Sequence, residues 1–380
     1  MSAAAQANIA VPPFEPVQLS AGFTKEDLDH ILMKAVESGA SDINISTNLP
    51  VIAKLYGRLV PFTSRPLNFS EANQVVNMLY GENGMAILSS GNPVDPGYEI
   101  LAGRGLRYRF RVNATARKGG VLVTIRTIPG IPPKLSEMGL PDDILNNIMP
   151  VSGIVLVVGT TGSGKSTLLA SVIREFKETG NNLKIITCES PIEFDYETVK
   201  SHDGSVIVAQ EEVGAHIQSF AQGAENALRQ TPDIFLLGEA RDGPSIEALL
   251  NVSRTGHMTM STVHTGSVSA TYRRLIASFP RDGRDAIAID IIENLRLVVF
   301  QRLANSLDGK RIALREWLVF DEDVRKELMD TPTERVPSRI DEMVAGRKQS
   351  IRDAANRAFE AGLIDEATRR YSGGGFRALA

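Results

Sequence analysis

The chain has 380 residues, with 41 Lys and Arg set against 45 Asp and Glu for a formal net charge of -4 at neutral pH. That length leaves room for two or three domains with ample core, and the near balance of charge argues against a protein that coats nucleic acid, although a local basic patch stays compatible with it. Cys188 is the only cysteine, which excludes an intramolecular disulfide and a zinc site built from several thiolates.

The first 20 residues, "MSAAAQANIAVPPFEPVQLS", are rich in Ala and Pro and read as a flexible leader. They lack the basic start and apolar core of a signal peptide. No segment of the chain approaches the roughly 20 uncharged apolar residues of a membrane span, so a soluble cytoplasmic protein is the expectation. Apolar residues recur at helical spacing from Lys25 to Glu37, with Thr24 placed to cap them. Strand-like runs follow at Ile43–Ser46 and in "VIAKLYGRLV", then a second helix opening at Ser70 and Glu71. "LRYRFRVNAT" and "VLVTIRTI" read as two strands parted by Lys118, Gly119 and Gly120. Together, residues 21–127 make a small α+β domain.

The Pro-rich stretch "IPGIPPKLSEMGLP" breaks regular structure, so residues 128–150 read as an interdomain linker. Beyond it the strand candidates "GIVLVV", "LKIIT", "DIFLLG" and "HMTMSTV" alternate with helical segments. That alternation predicts an α/β fold over residues 151–320, a parallel sheet covered by helices on both faces. Residues 321–380 turn charged and helical and end in a tail, "SGGGFRALA".

Between the first of these strands and the helix "STLLASVIREF" lies "GTTGSGKST": Gly159, Thr160, Thr161, Gly162, Ser163, Gly164, Lys165, Ser166 and Thr167. Residues 159–166 satisfy G-x-x-x-x-G-K-[ST] in the strand-to-helix context that the pattern requires. Glycines let the backbone curl so that its amides point at phosphate oxygens, and the helix start adds partial positive charge. Lys165 reaches the β- and γ-phosphates, and the Ser166 hydroxyl is a Mg²⁺ ligand. "PDIFLLGEARD" delivers Glu239 just past a buried strand, where ligands of such sheets bind; a carboxylate there orients water or holds the metal shell. "ITCESPIEF" brings Glu189 to the same edge and Glu193 near it, each able to act through a metal-bound water, with an exposed loop acid as the plainer reading of Glu193. "TGHMTMSTVHT" ends its strand at His264, read as a γ-phosphate sensor, whereas His257 at the strand's start fits a structural role.

In "RGLRYRFRVNA", Arg107, Arg109 and Arg111 alternate with Leu106, Tyr108, Phe110 and Val112, which puts three guanidiniums on one face of a strand. Arg126 lies on the neighbouring strand. A solvated basic face, a nucleic-acid groove and arginine fingers acting on a triphosphate in trans all use such residues, and the motif does not choose among them.

Taken in order, the phosphate loop, "CESPIEF", "LLGEARD" and "TGHMTMSTVHT" resemble the Walker A, Asp, Walker B and His boxes of the secretion ATPase superfamily. "SGASDINIS", "RFRVNA" and "IRTIP" are similar to the first domain of its PilT-like branch, and "GVLVTIRTIPGIPPKLSEMGLPDDI" to the DotB/TraJ-type ATPases of type IVB secretion and conjugation. The resemblance covers residues 22–320 and, more weakly, the helical tail. One departure from the pilus pattern is Ser190, where PilT-like proteins carry an Asp; Glu189 and Glu193 remain. The resemblance implies a PAS-like domain joined to a RecA-like ATPase domain, six copies in a ring, and ATP with Mg²⁺ as ligands. It implies that Lys165 binds phosphates, Ser166 ligates Mg²⁺, Glu239 and Glu189 arrange the attacking water through the metal shell, and Arg109, Arg111 or Arg126 reaches the γ-phosphate. The implied partners are components of an inner-membrane secretion or conjugation complex, to which a cytoplasmic protein without a span is recruited. A pilus retraction motor is the second reading. A nucleic-acid translocase would need a continuous basic channel with interleaved aromatics, which the acidic balance argues against, and a nucleotide-dependent docking scaffold without mechanical output is a fourth reading.

Overall fold

The computed structural model describes residues 15–20, 22–55, 58–103, 106–128 and 130–372. Residues 1–14 of the expected leader and 373–380 of the expected tail lie outside the described residues. The chain divides into two compact units, one ending at Gly130 and the other starting at Ile131.

The first unit runs α1 (Lys25–Glu37), β1 (Ala40–Ser46), β2 (Ile52–Leu55), β3 (Arg58–Pro61), α2 (Phe69–Tyr80), α3 (Gly84–Ser89), β4 (Gly97–Ala102), β5 (Leu106–Arg117) and β6 (Gly120–Ile128). Helix α1 buries Leu28, Ile31, Leu32 and Ala35, and its start is closed by a capping box between Thr24 and Asp27, a device that contributes on the order of 1 kcal/mol. Helix α2 opens one residue earlier than the sequence pattern suggests, because Asn68 is the cap and Glu71 returns its carboxylate to the Asn68 amide. The strands form one antiparallel sheet in the order β3-β2-β1-β6-β5-β4. Period-two alternation turns Phe110, Val112, Ala114, Val121, Val123 and Ile125 into a core shared with α1 and α2. Gly120 sits at φ 145° against Thr47, whose Oγ1 would lie 2.1 Å from any Cβ there, so only glycine closes the β5–β6 turn. Residues 15–20, expected to belong to the flexible leader, are instead tied to the domain. Val17 is buried and exchanges backbone hydrogen bonds with Phe62 and Ser64 at 2.9 Å each, and the Arg65 guanidinium holds the Ser20 carbonyl.

In the second unit, residues 131–150 do not span open space as a linker. They contain a 3₁₀ turn (Leu135–Met138) and α4 (Asp142–Leu145), and Leu135, Ile144 and Ile148 are buried in the same cluster as Val155, Val157 and Leu168. Proline breaks regular structure there but leaves these side chains able to pack. Then come β7 (Gly153–Val158), α5 (Lys165–Thr179), β8 (Lys184–Glu189), β9 (Ile207–Glu212), α6 (Phe220–Arg229), β10 (Ile234–Leu237), α7 (Gly243–Arg254), β11 (Met258–Val263), α8 (Val268–Ala277) and α9 (Arg284–Asn294). The hairpin β12 (Leu295–Asn305) and β13 (Arg311–Val319) follows, with α10 (Glu322–Met329), α11 (Val336–Gly346), α12 (Ile351–Glu360) and α13 (Glu366–Ser372) after it. The sheet order is β13-β12-β7-β11-β10-β8-β9, parallel except for the β12–β13 pair. Alternate residues of β7 serve two cores: Val155 and Val157 pack with Leu168, Leu169 and Ile173 of α5, while Ile154, Leu156 and Val158 pack toward residues of α6, α7 and α9. Because β7, β8, β10 and β11 are parallel, the loops that leave their C-terminal ends gather at one edge.

Candidate nucleotide site

All six residues of β7 are buried, so the strand delivers the following loop at a fixed height. That loop turns on Gly159, Gly162 and Gly164, with φ of 151°, 76° and 82°. At Gly159 a Cβ would lie 2.4 Å from the Gln301 carbonyl oxygen and 2.6 Å from Ser163 Oγ, so the chain can pass only as glycine. Helix α5 begins at Lys165 and points its free amides into the loop. Lys165 is only 7% exposed. Its ammonium donates to the Thr160 carbonyl at 3.0 Å; burial lowers its pKa, while the carboxylates of Glu239 and Glu193 pull the other way. The Ser163 hydroxyl is buried without a partner among the described residues.

Strand β11 lies between the phosphate-loop strand and β10, so His264 emerges between Lys165 and Glu239. His264 Nε2 stands 3.5 Å from Glu239 Oε1, with both side chains partly exposed. Behind them is a cavity of about 200 Å³ lined by Lys165, Ser166, Glu189, Glu193, Glu239 and His264 among others. Glu189, at the end of β8, turns its carboxylate inward, where it accepts from Thr187 Oγ1 at 2.7 Å and from Gln210 Nε2 at 3.2 Å. Burial raises its pKa, and those hydrogen bonds oppose the rise. Glu193 is exposed at the mouth. Ser166, Glu189 and Glu239 line this cavity with oxygen atoms, the kind of donor that suits Mg²⁺ keeping part of its water shell.

The structure thus gathers the loop residues 159–167, Glu189, Glu239 and His264 at one edge. His257 sits at the opposite end of β11, about 20 Å away for a strand of this length. There its Nδ1 meets Thr255 Oγ1 at 2.8 Å and the Val252 carbonyl at 3.2 Å. The arginines belong to the first unit. Arg111 stands across from Arg126 in the β5–β6 register, Arg126 is held by Asp42 at 3.0 Å, and Arg107 lies 3.8 Å from Glu99. No ion pair holds Arg109 or Arg111 among the described residues. Thr187, Gln210, Gln301 and Arg315 contribute to this edge and were not foreseen from the sequence. The one available signal was polar residues inside apolar strand runs: Thr187 in "KIITCE", Gln301 in "LVVFQ" and Arg315 in "ALREWLV". Gln210 carries no such signal.

A glycine loop feeding a helix from a buried parallel strand, faced by an acid and a histidine from the next strands, defines a P-loop nucleotide-hydrolase domain of the α/β class. The chain belongs to the type II/IV secretion system protein family, which matches residues 17–355, and within it to the PilT-like ATPase branch. It is similar in structure to the ATPase DotB of Legionella pneumophila, with a TM-score of 0.87 and 43% identity over 94% of this chain and 97% of that one. A solved structure of the pilus retraction motor PilT with bound ADP matches with a TM-score of 0.78 and 29% identity over 91% of this chain and 96% of that one. The type IV pilus retraction ATPase PilT of Pseudomonas aeruginosa is 30% identical over 315 residues, 83% of this chain and 88% of its own. No helix among the described residues is long and apolar enough to cross a membrane.

Proposed function

We propose that this protein is an ATP-driven motor of a type IVB secretion or conjugative transfer machine, working as a ring of six at the cytoplasmic face of the inner membrane. The observation that carries the reading is the joint placement of Lys165, Ser166, Glu189, Glu239 and His264 around one cavity, on a chain 43% identical to the DotB ATPase over nearly its whole length. In this reading, amides 160–166 and Lys165 hold the phosphates of ATP, and Thr167 belongs to the same binding set. Mg²⁺, bound through Ser166 and, by way of water, Glu239 and Glu189, would neutralise charge on the transferred phosphoryl group. Glu239 takes the proton from the attacking water, and His264 senses the γ-phosphate. Arg109, Arg111 or Arg126 of the first unit supplies the finger that stabilises charge in the transition state.

The likeness to PilT makes pilus retraction the second reading. Two measurements separate the possibilities. Purified protein should hydrolyse ATP only with Mg²⁺ and run at the mass of six chains in light scattering with nucleotide; a monomer without turnover overturns the motor reading. Deleting the gene should then abolish effector delivery or plasmid transfer and leave surface motility intact, whereas loss of motility alone assigns the protein to pilus retraction.

A further inference from the structure

Residues Gln301 and Arg315 face each other across the β12–β13 hairpin, and both are buried, 1% and 4% exposed. Their neighbours Val299 and Trp317 are apolar and belong to the core under α5, so hydrophobic packing alone gives no reason for an amide and a guanidinium here. Among the described residues, Arg315 has no carboxylate partner. Its Nε donates to Gln301 Oε1 at 2.8 Å, Nη1 to the Gly139 carbonyl at 3.0 Å and Nη2 to the Met138 carbonyl at 2.8 Å. Burial without a counter-charge pushes its pKa down to about 10, an expensive placement unless every donor is used.

Gln301 passes this chain on. Its Nε2 donates to the Ser163 carbonyl at 2.7 Å. The amide has one orientation only, because a guanidinium donates and never accepts, whereas a carbonyl oxygen accepts and never donates. The same residue also touches the loop twice more: its own carbonyl crowds Gly159, and its Nε2 would lie 2.9 Å from a Cβ at Gly164. All three contacts fall on residues 159–164 of the phosphate loop.

We propose that Gln301, oriented by Arg315, is the positioning residue that holds the phosphate loop in its nucleotide-ready curl and ties that loop to the Met138–Gly139 segment. The segment lies a few residues into the second unit, so a displacement of either end is felt at the other through the four hydrogen bonds that link them. The nucleotide part of the inference rests on the reading given above; the shape of the loop does not.

Two substitutions in the full-length protein test it. Gln301→Glu keeps the size and the acceptor for Arg315 but cannot donate to Ser163, and Gln301→Met keeps the bulk and loses both bonds. Both should speed amide hydrogen exchange at residues 159–165 in nucleotide-free protein, and Gln301→Glu should do so while keeping the wild-type melting temperature. With a fluorescent ADP analogue as probe, affinity should fall about tenfold in each, the size of one well-placed hydrogen bond, and KM for ATP should rise far more than kcat falls. Exchange confined to the wild-type rate in both variants, or wild-type affinity in both, overturns the inference. Faster loop exchange in the variants together with no probe binding by the wild type would sustain the strut and unseat the nucleotide reading instead.

Discussion

The two units present charge in opposite ways. On the first, Arg107, Arg109 and Arg111 line one face of a strand, with Arg107 and Arg111 exposed and Arg109 partly so. At the nucleotide edge of the second, two charged groups are withdrawn from water and held: Lys165 by the Thr160 carbonyl, Glu189 by Thr187 and Gln210. A site that is held in advance needs little reorganisation when ligand arrives. A row of guanidiniums in water gains only when something else removes the water. Under the proposed function, binding falls to the second unit and the first supplies charge for the transition state.

The largest effect expected from this contrast is at Lys165. Lys165→Ala should reduce ATP hydrolysis to assay background and leave the melting temperature within a few degrees, since among the described residues the ammonium's one hydrogen bond is to a loop carbonyl. Wild-type turnover in that variant would remove the phosphate-loop assignment. Next comes Arg111, which among the described residues no carboxylate engages. Arg111→Ala should lower kcat by about a thousandfold with ATP binding nearly unchanged, as trans-acting fingers do. Arg126→Ala should cost much less, because Asp42 already holds that side chain. Equal, small losses at both positions would return the arginines to a solvated face. Glu239→Gln should lower kcat by about a hundredfold or more while a binding assay with ADP gives the wild-type affinity; a collapse of affinity instead would make Glu239 structural and promote Glu189.

These contrasts also separate what was legible in the chain from what was not. The phosphate loop was legible because its nine residues are contiguous and each glycine answers a local backbone demand. Strand β11 was legible from a continuous apolar, Thr-rich run, and helix α1 from period 3.6 with a polar cap at Thr24. The edge strand β9 was not: in "IVAQEE" every residue is exposed or half-buried, so no apolar run marks it, yet its Gln210 orients Glu189. The Ala- and Pro-rich start misled as far as Ser20, because composition does not report that a single Val17 completes a core next to Phe62. The Gln301–Arg315 pair joins residues far from Ser163 and Met138 in sequence, and no local pattern encodes such a contact.

The smallest expected effect sharpens the comparison within a single strand. His257 and His264 bound the same buried β11, yet only the second reaches the nucleotide edge. His257 already satisfies its Nδ1 on Thr255 and Val252 at the far end, so His257→Ala should cost about 1 kcal/mol of stability and leave kcat/KM unchanged. His264 has Glu239 as its neighbour at 3.5 Å and is exposed, so its loss costs the fold little. His264→Ala should lower kcat by about tenfold, with an unchanged melting temperature, because a polar contact to the γ-phosphate is lost where charge builds. Measured side by side, the two variants should move opposite observables. A stability loss at His264 with normal turnover would mean that the histidine only steadies the Glu239 carboxylate, and the sensor role would then pass to residues of the first unit.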